Sequence, residues 1–232
     1  MKSKIVFMFG GGIDSVAQVI LLNNLLSTST TTPQICLLHI NYGQIARSKE
    51  IEAGVKLVEF NYASDIYSID THKILNTSNP LFTKFSGGYD KSKCMVEFRN
   101  AMLGVVGLFT ILNDERFSDY KDADVCFGFY SYKGLNTFPF PDETNDFIDK
   151  MNGLVEVYGY TNRFMAPFIG MSKSEIWKKA YEIEPNLFSI SWTCYEDDSK
   201  QCGKCPHCIY LKEFMKNELN LPEHKIKEMF IA

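Results

Sequence analysis

The sequence predicts an α/β fold, a Rossmann-like parallel sheet with flanking helices, and three features point to it. Ile5 to Phe9 is an apolar run without period-2 alternation, as expected of a strand buried on both faces of a parallel sheet. Gly10, Gly11 and Gly12 end that run, and Asp14 and Ser15 open a segment in which Val16, Val19, Ile20, Leu22 and Leu26 recur at helical spacing. A second apolar run, Ile35 to Ile40, follows a Ser/Thr loop at Ser27 to Thr32 closed by Pro33. Strand, helix and strand in this order make a right-handed βαβ unit.

The remaining elements follow in order. Arg47 to Leu57 reads as a helix and Asp65 to Ile69 as a third strand. Asn76 to Lys93 carries Gly, Pro, Ser and Asn and reads as a long loop in the position of a lid. Val96 to Leu112 is an apolar helix, Asp124 to Phe129 a fourth buried strand and Asp142 to Met151 a short helix. Phe164 to Phe168 is the last strand, Ser172 to Tyr181 a helix, and a cysteine-rich segment closes the chain. No internal repeat is visible. The expectation is a single domain over residues 1–232, with residues 190–232 as a tail integrated into it. Ligands of such sheets bind outside the carboxyl ends of the strands.

Composition narrows the function. A net charge of −4 argues against nonspecific nucleic-acid affinity, which needs clustered Lys and Arg, and favours a small-molecule substrate. The opening MKSKIVFMFGGG is too short an apolar run for a signal peptide, and no window offers the ~20 apolar residues that span a bilayer. The expectation is a cytoplasmic protein without a membrane partner. Cys36, Cys94 and Cys126 stand among or beside apolar residues and read as core or half-buried thiols.

The glycine triplet lies where absent side chains let backbone N–H groups approach an anion and a helix N-terminus adds a favourable dipole. A triplet alone is equally compatible with a tight turn, and its position between strand and helix favours the anion. No Gly-Lys-Ser/Thr follows and the spacing is not GxGxxG, so neither a Walker A loop nor a dinucleotide fold is indicated. FGGGIDS, Phe9 to Ser15, resembles the SGGxDS loop of the PP-loop ATP pyrophosphatases, within the adenine nucleotide alpha hydrolase-like folds, with Gly10 in place of serine. The resemblance implies that the loop grips the β and γ phosphates, that ATP is cleaved to AMP and pyrophosphate, and that Asp14 helps hold Mg²⁺.

Cys194, Cys202, Cys205 and Cys208 form C-x7-C-x2-C-x2-C. Two overlapping C-x2-C steps converge on one ion, and a fourth thiolate closes a tetrahedral site, which predicts a structural Zn²⁺ that folds a tail too short for its own core. An iron-sulfur cluster is the rival reading, and a redox pair would not need four cysteines. His207 is left outside the ligand set, as a solvent-facing or supporting neighbour.

The two features, collinear at opposite ends of the chain, resemble the 7-cyano-7-deazaguanine synthase family, QueC. HINYGQIARSKEIEA (His39 to Ala53) is similar to the family's DYGQ segment and EFRNAMLGVVGLF (Glu97 to Phe109) to its ARN helix. DADVCFGF (Asp122 to Phe129), PDETNDFIDKMN (Pro141 to Asn152), APFIGMSKSEI (Ala166 to Ile176) and SWTCYEDDSKQCGKCPHC (Ser191 to Cys208) follow in the family's order. The resemblance implies an ATP-dependent ligase forming C–N bonds, with ATP, Mg²⁺ and a structural Zn²⁺. A 7-deazaguanine carboxylate is adenylated, ammonia displaces AMP, and a second ATP converts the amide to the nitrile of queuosine-type biosynthesis.

The residues implied for ATP are Phe9, Gly10, Gly11, Gly12, Ile13, Asp14, Ser15, Asn41 and Tyr42. Asp14, Lys173 and Arg99 are the implied catalytic residues, and Arg99, Asn100, Tyr130 and Asp142 line the substrate. A homodimer is implied as well. The pocket departs from the family: Phe129 to Gly134 replaces its Tyr-Ser-Gly step, and Glu143 and Thr144 stand where Cys and Arg are expected. Tyr130, Tyr132 and Phe138 are candidates to stack on a purine-like ring or to be core-edge aromatics. The departures keep open a ligase that joins the activated carboxylate to an amine of a protein partner. A noncatalytic zinc-ribbon module would leave the glycine loop and Asp14 without a role, and the acidic balance disfavours a tRNA-thiolating enzyme.

Overall fold

The computed structural model describes residues 2–27, 34–44, 46–71, 98–131, 140–194 and 201–230. Five strands, Lys4–Met8 (β1), Gln34–Asn41 (β2), Asp65–Asp70 (β3), Asp124–Cys126 (β4) and Phe164–Met165 (β5), form one sheet in the order β3-β2-β1-β4-β5. Every pairing is parallel, with Ile5 opposite Ile35 on one side and Asp124 on the other. The helices are Ile13–Ser27 (α1), Arg47–Glu59 (α2), Arg99–Asn113 (α3), Asn145–Val157 (α4), Lys173–Ile183 (α5), Leu187–Ile190 (α6), Pro206–Asn217 (α7) and Glu223–Glu228 (α8). The expected α/β parallel sheet is the observed one.

Alternating strand residues feed two apolar layers. Ile5 and Phe7 of β1 pack with α1, α2, α5 and the tail, whereas Val6 packs with the layer holding α3 and α4. Helix α1 is buried almost all round, Gln18 included, because it is enclosed between the sheet and α5. Cys205, Cys208, Leu211, Phe214, Ile226 and Phe230 belong to the same apolar cluster as α1 and α5, so the tail shares that core.

Several boundaries differ from the sequence expectation. The β4 ladder ends at Cys126 rather than Phe129, with a last bond from the Phe127 N–H to the Met165 carbonyl (2.8 Å). Strand β5 stops at Met165 rather than Phe168 because Pro167 has no N–H for the ladder. Helix α4 begins at Asn145, not Asp142, since the Thr144 hydroxyl caps it by accepting from the Phe147 N–H (3.1 Å). The 76–93 loop, Cys94, Tyr132 and Phe138 lie outside the described residues. Cys36 and Cys126 are fully buried core thiols, and burial pushes both well above the ordinary thiol range. Among the described residues no helix is long and apolar enough to cross a membrane.

Candidate active site and metal centre

The strand order reverses direction at β1: β2 and β3 lie to one side, β4 and β5 to the other. Such a switch point opens a crevice at the carboxyl ends of the central strands. The chain enters it at Gly10, and the next residues are shaped by close backbone packing. Gly11 has φ +65°, and a Cβ there would stand 2.2 Å from the Glu50 Cα, so only glycine fits. Its carbonyl accepts the Trp192 N–H (3.2 Å), and the Gly12 N–H turns back to the Gly10 carbonyl (2.8 Å). Gly10 is exposed, with open space where a Cβ would be. Phe9 and Ile13 bury their side chains in the core and offer the crevice only their backbone. The Ser15 hydroxyl donates to the Gly12 carbonyl (2.9 Å).

Asp14 and Lys173 meet across the crevice. Lys173 is the first residue of α5, placed there by a capping box in which Ser172 and Glu175 exchange hydrogen bonds. Its ammonium lies 3.0 Å from Asp14 Oδ2, and the other oxygen, Oδ1, accepts the Trp177 indole N–H (2.8 Å). Three rings surround the ammonium: Trp177 at 4.8 Å, Tyr210 at 5.3 Å and Tyr130 at 5.6 Å from their centroids. His207 is half-buried beside this pair, not solvent-facing. Burial, then the Lys173 charge, lowers its pKa to about 4.

A second group lies at the end of β2. His39 is fully buried, with Nδ1 3.0 Å from the Ser68 hydroxyl and Nε2 2.8 Å from Glu50 Oε2. Gln44 donates to the same Glu50 oxygen (2.8 Å) and to the Ile40 carbonyl (3.1 Å). Buried Asn41 turns the chain by accepting the Gly43 N–H (3.0 Å). Tyr42, next in sequence, meets Arg99 from the start of α3. Burial chiefly raises the Tyr42 phenol, the Arg99 guanidinium opposes this through charge and a hydrogen bond, and Glu50 reinforces it. Arg99 Nε donates to Asn100 Oδ1 (3.4 Å), and Asn100 is buried.

The predicted residues therefore fall into two clusters, Asp14 with Lys173 and Tyr130, and Tyr42 with Arg99 and Asn100. Asp142 is half-buried in the turn before α4, and among the described residues no hydrogen bond or ion pair joins it to either cluster. Sequence reasoning missed Trp177, Tyr210 and the His39–Glu50–Gln44 network. Trp177 had a signal, since it stands four residues after Lys173 and so on the same helix face.

The Sγ atoms of Cys194, Cys202, Cys205 and Cys208 all lie within 4.8 Å of one another. Four thiolates each ~2.3 Å from a tetrahedral ion would be about 3.8 Å apart, so the set fits a single metal. The Cys202 N–H points to the Cys194 sulfur (3.4 Å) and the Cys205 N–H to the Cys202 sulfur (3.3 Å), as suits sulfur bearing negative charge.

The family model of QueC, the queuosine biosynthesis protein, matches residues 4–218 of this sequence. The chain belongs to the QueC family. Its relatives within and around the QueC family include the 7-cyano-7-deazaguanine synthase of Methanosarcina mazei, 26% identical over 92% of this chain and 94% of that protein. That of Chlorobium phaeobacteroides is 27% identical over 94% of this chain and 95% of its own. That of Methanococcus maripaludis is 28% identical over 92% and 94%. The QueC match spans both the glycine loop and the four cysteines.

Proposed function

We propose that this QueC-family chain is an ATP-dependent ligase that adenylates the carboxylate of 7-carboxy-7-deazaguanine and delivers ammonia to it, ending in 7-cyano-7-deazaguanine. The observation that carries the reading is the Asp14–Lys173 pair beside a glycine loop at the switch point of a parallel sheet. A carboxylate is a poor electrophile, and its oxygen becomes a good leaving group once AMP is attached. In the first step that oxygen attacks the α-phosphorus of ATP and pyrophosphate leaves. Ammonia then adds to the acyl carbon, AMP departs and the amide remains. A second ATP adenylates the amide oxygen with release of pyrophosphate, and loss of AMP and of both nitrogen-bound protons leaves the nitrile.

The chain's part is positioning and charge neutralisation. The first N–H groups of α1, at Ile13, Asp14 and Ser15, lack intrahelical acceptors and are directed to the departing pyrophosphate. Lys173 neutralises charge on the phosphates, and its aromatic surround keeps the ammonium in place. Asp14 would hold the Mg²⁺ that accompanies ATP and supplies further charge neutralisation. Tyr42 and Asn41 border the nucleotide, and Arg99 with Asn100 faces the substrate carboxylate. In the tail, the single-ion spacing of the four sulfurs favours a structural Zn²⁺ over a four-iron cluster, which would seat each thiolate on a separate iron and spread them further. Chemistry on cellular ATP suits the cytoplasm.

The test is incubation of the pure protein with ATP, Mg²⁺, ammonia and 7-carboxy-7-deazaguanine, followed by mass spectrometry for AMP and the nitrile. Asp14→Ala is expected to lower AMP formation by at least a hundredfold, and unchanged AMP release in that variant overturns the assignment of the loop. AMP without nitrile moves the reading to a ligase that uses another amine, such as one on a protein.

A further inference from the structure

We propose that Trp177 is a positioning residue that aims the Asp14 carboxylate and couples the glycine loop to the four-cysteine centre, so that metal in the centre raises affinity for Mg²⁺-ATP. The inference rests on the reading of the loop as an ATP site. Asp14 uses its two oxygens differently. Oδ1 is committed to the Trp177 indole N–H at 2.8 Å, which leaves Oδ2 as the oxygen that meets a cation, here the Lys173 ammonium at 3.0 Å. A carboxylate pinned through one oxygen cannot rotate freely, so the direction of the other is set by the indole.

The indole is in turn set by the tail. Trp177 is 1% exposed and its ring stands edge-on to Tyr210 (5.4 Å, 79°) and Phe214 (5.1 Å, 85°), both on α7. Helix α7 starts at its cap Cys205 and carries Cys208 in its first turn, so two of the four sulfurs fix where that helix begins. Tyr210 is also within 3.3 Å of the Ser174 hydroxyl, next to Lys173. A separate connection reaches the other end of the loop: Trp192 gives its backbone N–H to the Gly11 carbonyl (3.2 Å) and its indole N–H to the Cys194 carbonyl (2.8 Å). Gly11 and Asp14 are thus each hydrogen-bonded to a tryptophan that also touches the cysteine segment, Trp192 through the Cys194 carbonyl and Trp177 through Tyr210 and Phe214. The chain has just two tryptophans, and both stand between the loop and the metal centre.

Trp177→Phe keeps an aromatic ring against Tyr210 and Phe214 and removes only the N–H. Calorimetric titration of the zinc-loaded variant with Mg²⁺-ATP is expected to show affinity about tenfold weaker than wild type, as for loss of one hydrogen bond to a charged group. The KM for ATP should rise similarly, with kcat for AMP formation within about twofold and zinc content unchanged. Equal ATP affinity in the two proteins overturns the proposal, whereas a wild-type protein that binds no ATP overturns the underlying ATP-site reading instead. The metal arm uses wild-type protein stripped by a chelator and reloaded with zinc. Reloading is expected to change tryptophan fluorescence in wild type more than in Trp177→Phe and to restore ATP affinity at least fivefold. A fluorescence response identical in both proteins overturns the coupling through Trp177.

Discussion

Gly10 and Gly11 are adjacent and chemically identical, yet they answer to different constraints. Gly11 has positive φ and packs against the Glu50 backbone, so Gly11→Ala should cost about 3 kcal/mol or more, read from the denaturant midpoint. Gly10 faces open space, and Gly10→Ser should leave that midpoint within about 0.5 kcal/mol. In the proposed reading the new hydroxyl supplies a pyrophosphate donor, so the variant's KM for ATP should fall several-fold. A run of three glycines in the sequence does not say which one is obligatory. That depends on Glu50, which comes after α1 and β2 in the chain and sits in α2. The same holds for His39 and Glu50: each is visible as a titratable residue, but their 2.8 Å hydrogen bond exists only because α2 folds back over β2.

At the scale of elements, local chemistry sets the ends that matter. Ser172 begins α5 through a capping box and so delivers Lys173 to Asp14. Ser172→Ala should lower stability by about 1 kcal/mol in thermal or denaturant unfolding. A larger fall in AMP formation than in folded protein would show that the cap also places Lys173. The sequence reading placed α5 at Ser172 to Tyr181, close to the observed Lys173–Ile183, and did not name the cap. It overextended β4 and β5, because apolar runs continue past Cys126 and Met165, where the ladder ends and Pro167 has no N–H to extend it. In α7, Pro206 at the first helical position and Cys208 in the first turn join helix and metal centre in one unit. Cys208→Ser should lose most bound metal by elemental analysis and expose the α7 and α8 amides to rapid hydrogen exchange.

Across the whole molecule the tail packs into the core that covers α1 and α5, so the centre's stability and the domain's are linked. Removing metal with a chelator should lower the melting temperature of the entire chain in one transition. A separate early transition confined to the tail would contradict that shared core. The chemistry-bearing groups written locally, FGGGIDS and C-x7-C-x2-C-x2-C, were legible from the sequence because strand-to-helix turns and metal ligands obey short spacings. Alternation-free apolar runs likewise determined a buried parallel sheet. Only the tertiary structure decided the strand order and the switch point at β1. It alone brought Trp177 and Tyr210 to the Asp14–Lys173 pair, across a separation of 163 residues for Trp177. Periodicity records which face of an element is buried; which distant side chain meets that face is settled by packing, and packing has no local signature.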